Sequence, residues 1–210
     1  MKTGILGGTF NPPHIGHLRL AQEASERFNL EKVIFVPCHQ PPHKNRTEIY
    51  PAQHRFNMTS LACSDNPIFE VSDMELRFPI PSYTVNTLNY FKSQTDHLVY
   101  FIMGSDSLSE IRTWKDYERL FTLANFIIVN RPGMTFRKAW ENLPEALKRE
   151  FSCHDDKFVH TSGTSILRSD IRGLNVSSTE LRKLLKRSSS AKYLTPEAVL
   201  EYIKLHNLYS

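Results

Sequence analysis

The sequence predicts an α/β fold: a doubly wound, mostly parallel sheet covered by helices on both faces, with a small C-terminal helical region. Three observations carry that expectation. Short apolar runs rich in β-branched residues alternate with longer stretches of helical periodicity. Two of these runs, at 4–9 and 33–37, enclose one apolar helical stripe, so residues 4–37 read as a single βαβ unit with a right-handed crossover. Between the first run and its helix lies "GGTFNPPHIGH", residues 7–17, whose glycines and prolines mark a tight strand-to-helix turn.

The elements follow in order. "GILGGT" is the first strand, and Leu18, Ala21, Ser25 and Phe28, with Leu20 and Ala24 beside them, form the helical stripe. "VIFVP" at 33–37 is a second buried strand, after which 38–50 has no periodicity, holds a Pro-Pro pair and reads as a loop. A helix begins near Pro51, where a missing N–H costs nothing. A strand near 68–72, a helix capped by Ser82, the strand "LVYFIM" at 98–103 and the turn "GSDS" come next. The helix "DYERLFTLA" and the strand "FIIVN" at 126–130 complete the strong part of the alternation. Residues 134–156 are polar and partly helical, broken at Pro144, and "KFVHT" at 157–161 reads as the last strand. Ser177 and Glu180 form a capping box before "LRKLLKR", and Thr195 with Pro196 opens a final helix, "PEAVLEYIKLHNLY".

At 210 residues the chain has room for one well-buried core, so one domain over 1–210 is expected, with 177–210 as its helical C-terminal part. No apolar run is long enough to span a bilayer, and no secretion signal follows Met1, so a cytoplasmic protein without membrane contact is expected. Cys38, Cys63 and Cys153 are scattered and odd in number, which suits reduced packing thiols rather than disulfides or structural zinc. The net charge of +4 is mild and suits anionic small molecules or nucleic acid. The basic run over 182–187 has no interleaved aromatics, which argues against a nucleic-acid partner.

The first turn reads as chemistry. In doubly wound sheets ligands sit beyond the carboxyl ends of the strands, and the first strand-to-helix turn commonly meets phosphate. Gly7 and Gly8 leave backbone bare for a polyphosphate, and Pro12 and Pro13 stiffen the helix entry. His14 and His17 lie three apart on one helical face, and Gly16 between them leaves out a side chain that would crowd a ligand. A lone histidine here would be polar surface; two in this setting point at one anion. No further ligands accompany them at zinc spacing, so no protein-held metal is expected. Neither GxxxxGK[ST] nor GxGxxG is present, so the phosphate grip is of another type.

"GGTFNPPHIGH" resembles the HxGH motif of the nucleotidyltransferase superfamily, and "NVSSTELR" at 175–182 resembles that superfamily's second phosphate motif, usually ISSTxIR. "PPHK" at 41–44, "PSYTVNTL" at 81–88, "GSDSL" with "TWKDYERL" between 104 and 120, and the closing helix resemble the bacterial nicotinate-nucleotide adenylyltransferase family over nearly the whole chain. One letter departs: that family usually has Asp where this chain has Asn11.

The resemblance implies a Rossmann-like nucleotidyltransferase fold and transfer of AMP from ATP to nicotinate mononucleotide in NAD biosynthesis, giving nicotinate adenine dinucleotide and pyrophosphate, with Mg²⁺ brought by the ATP. It also implies roles. His14 and His17 donate to the triphosphate; Ser177, Ser178 and Thr179 hold its outer phosphates at a helix start, with Arg182 as a positive fork. Gly8, Thr9 and Phe10 approach the nucleotide through backbone, and Lys44 reaches phosphate charge from its loop. Gly104 and Asp106 lie at a strand's carboxyl end, with Asp106 accepting from a ribose or, in the plainer reading, capping the next helix. Ser82, Tyr83 and Thr84 offer a helix start to the nicotinate carboxylate, and Trp114 stacks on the pyridine ring. The rival readings are another superfamily member, such as a pantetheine-phosphate adenylyltransferase, which carries TxGH rather than HxGH, and a non-catalytic nucleotide-binding module.

Overall fold

The computed structural model describes residues 1–41, 49–78, 81–130, 133–154, 157–169, 174 and 176–209. β1 (Lys2–Gly8) leads through α1 (Ile15–Phe28) to β2 (Lys32–Pro37), which pairs with it in parallel, as the expected βαβ unit requires. After α2 (Ala52–Cys63), β3 (Phe69–Val71) adds to the outer side of β2. The chain then returns through α3 (Met74–Arg77) and α4 (Thr84–Gln94) to β4 (Leu98–Gly104), on the other side of β1. α5 (Ser105–Ser109), a 3-10 turn (Ile111–Thr113) and α6 (Tyr117–Leu123) precede β5 (Asn125–Val129), parallel to β4. Pro144 separates α7 (Phe136–Glu141) from α8 (Glu145–Arg149), the break the sequence predicts.

The far edge differs from the sequence reading. Residues 157–161 were expected to hold the last strand; instead β6 (Phe151–His154), β7 (Lys157–His160) and β8 (Ser165–Ser169) form an antiparallel set, and β8 pairs in parallel with β5. Antiparallel neighbours need only a tight connection, and Gly163, at φ +90°, supplies it between β7 and β8. β6 and β8 are short and mix Ser, His and Arg with apolar residues, so their periodicity is weak. The sheet order among the described residues is β3-β2-β1-β4-β5-β8-β7-β6.

Consecutive strand residues serve opposite faces. Ile5, Ile34, Phe101 and Phe126 pack on one side, while Leu6, Phe35, Ile102 and Ile127 pack under α1 on the other. α1 buries Leu20, Ala21, Ala24 and Ser25, the centre of its expected stripe. A third cluster joins α2 to the last two helical elements, α9 (Ser178–Lys186) and α10 (Glu197–Leu205), through Met58, Val199, Ile203 and Leu208 with Leu185 beside them. The final helix stops sooner than expected: Asn207 and Tyr209 have φ of +49° and +63°, and the chain folds back to bury Leu208 and Tyr209. Cys63 is buried, and burial pushes its thiol up to about 12, as the expected packing role requires, whereas Cys153 is exposed and does not pack.

Candidate active site

The direction of chain winding reverses between β1 and β4, the place where an open parallel sheet splits its loops apart. The pairing shows it: β1 and β4 are in register from Lys2–Leu98 only as far as Ile5–Phe101. β1 stays paired with β2 up to Gly8–Pro37, and β4 with β5 up to Gly104–Val129. The two central strands therefore diverge over their last residues, and a cleft partly open to solvent lies beyond them. Gly7, Gly8 and Thr9 line it from β1, Phe101 and Ser107 from β4 and α5, and Ser82, Tyr83, Thr84, Trp114 and Lys115 from the facing segments.

His14 is the N-cap of α1, almost fully buried, and its ring stacks on His17 at 3.6 Å with an interplanar angle of 24°. The His14 amide donates to Nδ1 of His17 at 3.2 Å. An accepting Nδ1 puts the proton of a neutral His17 ring on Nε2, so that nitrogen is a donor. Phe10 meets His17 edge-on at 5.0 Å and is itself buried, with φ of +45° turning its ring back toward the sheet.

Two glycines make room for the protein's own rings. A Cβ on Gly16 would lie 3.0 Å from Nδ1 of His14, and one on Gly8 would lie 2.8 Å from the Phe10 ring. Gly16 thus makes room for the His14 imidazole and Gly8 for the Phe10 ring. The close approach is real; its partner is the protein's own ring.

The second motif meets this turn from the opposite end of the sequence. Ser177 caps α9, its hydroxyl accepting from the Glu180 amide at 3.1 Å, the forward half of the expected capping box. Ser178 donates its hydroxyl to the Pro12 carbonyl at 2.8 Å, and Arg182 donates to the Asn11 carbonyl at 2.9 Å and to the Thr179 hydroxyl at 3.3 Å. Thr195 donates to the Pro13 carbonyl at 2.9 Å, and Ile15 N–H to Leu194 at 3.0 Å. The prolines have no N–H, yet three successive carbonyls at 11–13 all receive donors.

The facing wall also departs in detail from the sequence reading. The N-cap of α4 is Tyr83, not Ser82. Ser82 instead accepts from the amides of His39 at 2.8 Å and Gln40 at 3.2 Å, tying the exit of β2 to the start of α4. Lys115 Nζ sits 4.9 Å over the Tyr83 ring, and half-buried Trp114 meets Phe101 edge-on at 6.3 Å. Gly104, not Asp106, is the N-cap of α5; Asp106 is exposed in its first turn. Lys44 lies outside the described residues.

A profile of the family described as "Cytidylyltransferase-like" matches residues 5–184. A "Probable nicotinate-nucleotide adenylyltransferase" of Citrifermentans bemidjiense is 42% identical over 213 residues, covering 100% of this chain and 98% of its own. The chain belongs to the nicotinate-nucleotide adenylyltransferase family. A relative of the same description from Geotalea daltonii is 40% identical over 218 residues, covering 100% of this chain and 99% of its own. Among solved structures, "Plasmodium falciparum nicotinic acid mononucleotide adenylyltransferase complexed with NaAD" has a TM-score of 0.76 at 21% identity, covering 99% of this chain and 97% of that one. The same enzyme "complexed with APC" has a TM-score of 0.73. At such identities the likeness is one of fold, and it is the Rossmann-like nucleotidyltransferase fold expected above.

Sequence reasoning missed two residues that build this family member's site. Arg55, 1% exposed, donates from Nε to Tyr50 O at 2.8 Å, from Nη1 to Thr9 O at 2.8 Å and from Nη2 to His39 O at 3.0 Å. One guanidinium thereby joins the loops leaving β1 and β2. The signal was present, because Arg55 falls on the same stripe of α2 as Met58, Thr59 and Ala62, where an apolar residue belongs. Glu75 of α3 lines the cleft and accepts from the Thr87 hydroxyl at 2.6 Å, and burial holds its carboxyl above the usual range, opposed by the hydroxyls of Ser82 and Thr87, the His39 amide and the Arg55 charge. Nothing in the sequence around Glu75 distinguishes it from a surface carboxylate.

Proposed function

We propose that this chain, a nicotinate-nucleotide adenylyltransferase of NAD biosynthesis, joins ATP and nicotinate mononucleotide by direct in-line attack on the α-phosphorus, without a covalent enzyme intermediate. The observation that carries this reading is the contact between the two phosphate motifs: Ser178 and Arg182 bond to the carbonyls of Pro12 and Asn11, in the turn that leads to the paired histidines. The nucleophile needs no activation. A phosphate monoester has its second pKa near ~6 and is already an anion at neutral pH. The protein's contribution is then alignment and neutralisation of charge as pyrophosphate leaves.

In this reading the His17 ring donates from Nε2 to charge building near the α-phosphate, while His14 stacks behind it and limits its rotation. The start of α9 and the Arg182 fork receive the outer phosphates, and Lys44 adds positive charge. Asp106 accepts from a ribose hydroxyl. Trp114 stacks on the pyridine ring, and the amides at the start of α4, with Ser82, Tyr83 and Thr84 around them, meet the nicotinate carboxylate. Among the described residues no three His, Cys, Asp or Glu side chains converge as a metal cage. Mg²⁺ would arrive on ATP, held by phosphate oxygens and water, and would neutralise triphosphate charge.

The chain is proposed to work as one domain, 1–210, its 177–210 part supplying the second motif, in the cytoplasm and without nucleic acid. No helix among the described residues is long and apolar enough to cross a membrane. The test is pyrophosphate release from ATP and Mg²⁺, expected only when nicotinate mononucleotide is present and lost on chelation with EDTA. Equal or faster release with phosphopantetheine overturns the substrate, and release with no acceptor overturns direct transfer.

A further inference from the structure

The first turn is held from a direction that neither phosphate motif accounts for. Tyr209, 198 residues along the chain from Asn11, donates its hydroxyl to Asn11 Oδ1 at 2.8 Å. The same oxygen accepts from the Tyr50 amide at 3.2 Å, while the Asn11 backbone carbonyl accepts from Arg182 at 2.9 Å. Tyr209 is itself fixed. Its amide donates to the Tyr50 hydroxyl at 2.7 Å, and the two rings pack with centroids 4.3 Å apart. Tyr50 in turn gives its carbonyl to Arg55, which also holds Thr9. Asn11 and Tyr209 are 3% and 1% exposed, so the bond between their side chains is made away from water.

We propose that Tyr209 is a positioning residue for adenylyl transfer: its hydroxyl fixes the Asn11 side chain, and through Asn11 the peptide that delivers Pro12, Pro13 and the His14–His17 pair. Asn11 is the right place to act. It stands three residues before His14, and its side-chain and backbone oxygens receive donors from α10's following turn, from the segment before α2 and from α9. A ring packed on Tyr50 would stabilise the fold whether or not it carried a hydroxyl. Among the described residues, the hydroxyl bonds to the turn. A misplacement of about 1 Å at a reacting group costs up to about 10²-fold in rate, so a small relaxation of Asn11 is enough to register in turnover.

This inference rests on the adenylyl-transfer reading for its kinetic arm, and a second arm is independent of turnover. Tyr209→Phe keeps the ring and removes the hydroxyl. The expected result is a fall in kcat of about tenfold, with KM for both substrates within about twofold of the unsubstituted protein, after correction for folded fraction. In a His17→Ala background the same substitution should lower kcat little further, because the part it positions is gone. The independent arm is NMR of histidine-labelled protein: the ring resonances of His14 and His17 should move in Tyr209→Phe while those of His97 and His160 stay. If Tyr209→Phe melts below the assay temperature, Tyr50→Phe, which removes the acceptor of the Tyr209 amide, is expected to act in the same direction. Equal fold-losses with and without His17, or unmoved His14 and His17 resonances, overturn the proposal. Moved resonances in a protein that does not use nicotinate mononucleotide would keep the positioning and overturn the activity.

Discussion

Removing the buried Arg55 guanidinium is the sharpest test of how the cleft is assembled. Three of its N–H groups bond to the carbonyls of Tyr50, Thr9 and His39, and among the described residues it forms no ion pair with a carboxylate. Hydrogen bonds from a charged donor contribute about 1.5–3 kcal/mol each, so three amount to roughly 4.5–9 kcal/mol gross. Arg55→Met relieves the cost of burying the charge, several kcal/mol, but leaves three part-buried carbonyls without that donor, at about 1–3 kcal/mol each. The net loss expected is about 3–5 kcal/mol, a large part of the ~5–15 kcal/mol that holds a domain of this kind folded. Arg55→Lys keeps the charge but has no planar fork, and should lose about 2–3 kcal/mol as it reaches fewer of the three carbonyls. Urea unfolding at neutral pH, followed by circular dichroism and by tryptophan fluorescence, measures both. Arg55→Met within about 1 kcal/mol of the unsubstituted protein would refute the reasoning, since the loops would then be held by something else.

Three further outcomes follow from the same geometry. His17→Ala should lower kcat by about 10²–10³-fold, the size of losing one aligned donor to developing charge, with stability changed by less than about 1 kcal/mol; near-normal turnover by a folded protein would remove His17 from the reaction. Trp114→Ala should weaken nicotinate mononucleotide by on the order of tenfold, as loss of one stacking face does, and leave ATP nearly unaffected; a rise in the ATP KM instead would reassign that wall of the cleft. Glu75 gives a pH signature. Its folded-state pKa is raised above the ordinary 4.5, so the folded state binds the proton more tightly than the unfolded one, and stability falls as pH rises from there through the raised value. Glu75→Gln keeps an acceptor for Thr87 and abolishes the titration, so its stability relative to the unsubstituted protein should improve with rising pH above about 4.5, by thermal melts across the acidic range; a constant difference would show that Glu75 is not desolvated as its position implies.

The sequence by itself determined the β1-α1-β2 unit, the place of the first turn, the Ser177 cap and the break at Pro144. All of these depend on hydrophobic period and on residues whose backbone chemistry is local, so a window of a few residues contains the cause. It also contained both phosphate motifs, but not their meeting. The side of β1 on which β4 lies, the divergence of those strands beyond Ile5–Phe101, and the antiparallel edge of β6, β7 and β8 were decided by the tertiary structure. Short strands such as Ser165–Ser169 carry too little pattern of their own and take their conformation from a neighbour's ladder.

The polar residues show the same division. Gly16 leaves room for the His14 ring; Ser82 was expected as a helix cap and instead staples the loop after β2; Arg55 and Tyr209, to which the sequence assigned no role, are buried, and Glu75 lines the cleft. Which donor a buried acceptor finds is a matter of what the fold brings within about 3 Å, and those partners lie up to 198 residues away. Local chemistry therefore marked where phosphate would be handled, and the packing of distant segments set the carbonyls, rings and hydroxyls that hold the two histidines in place.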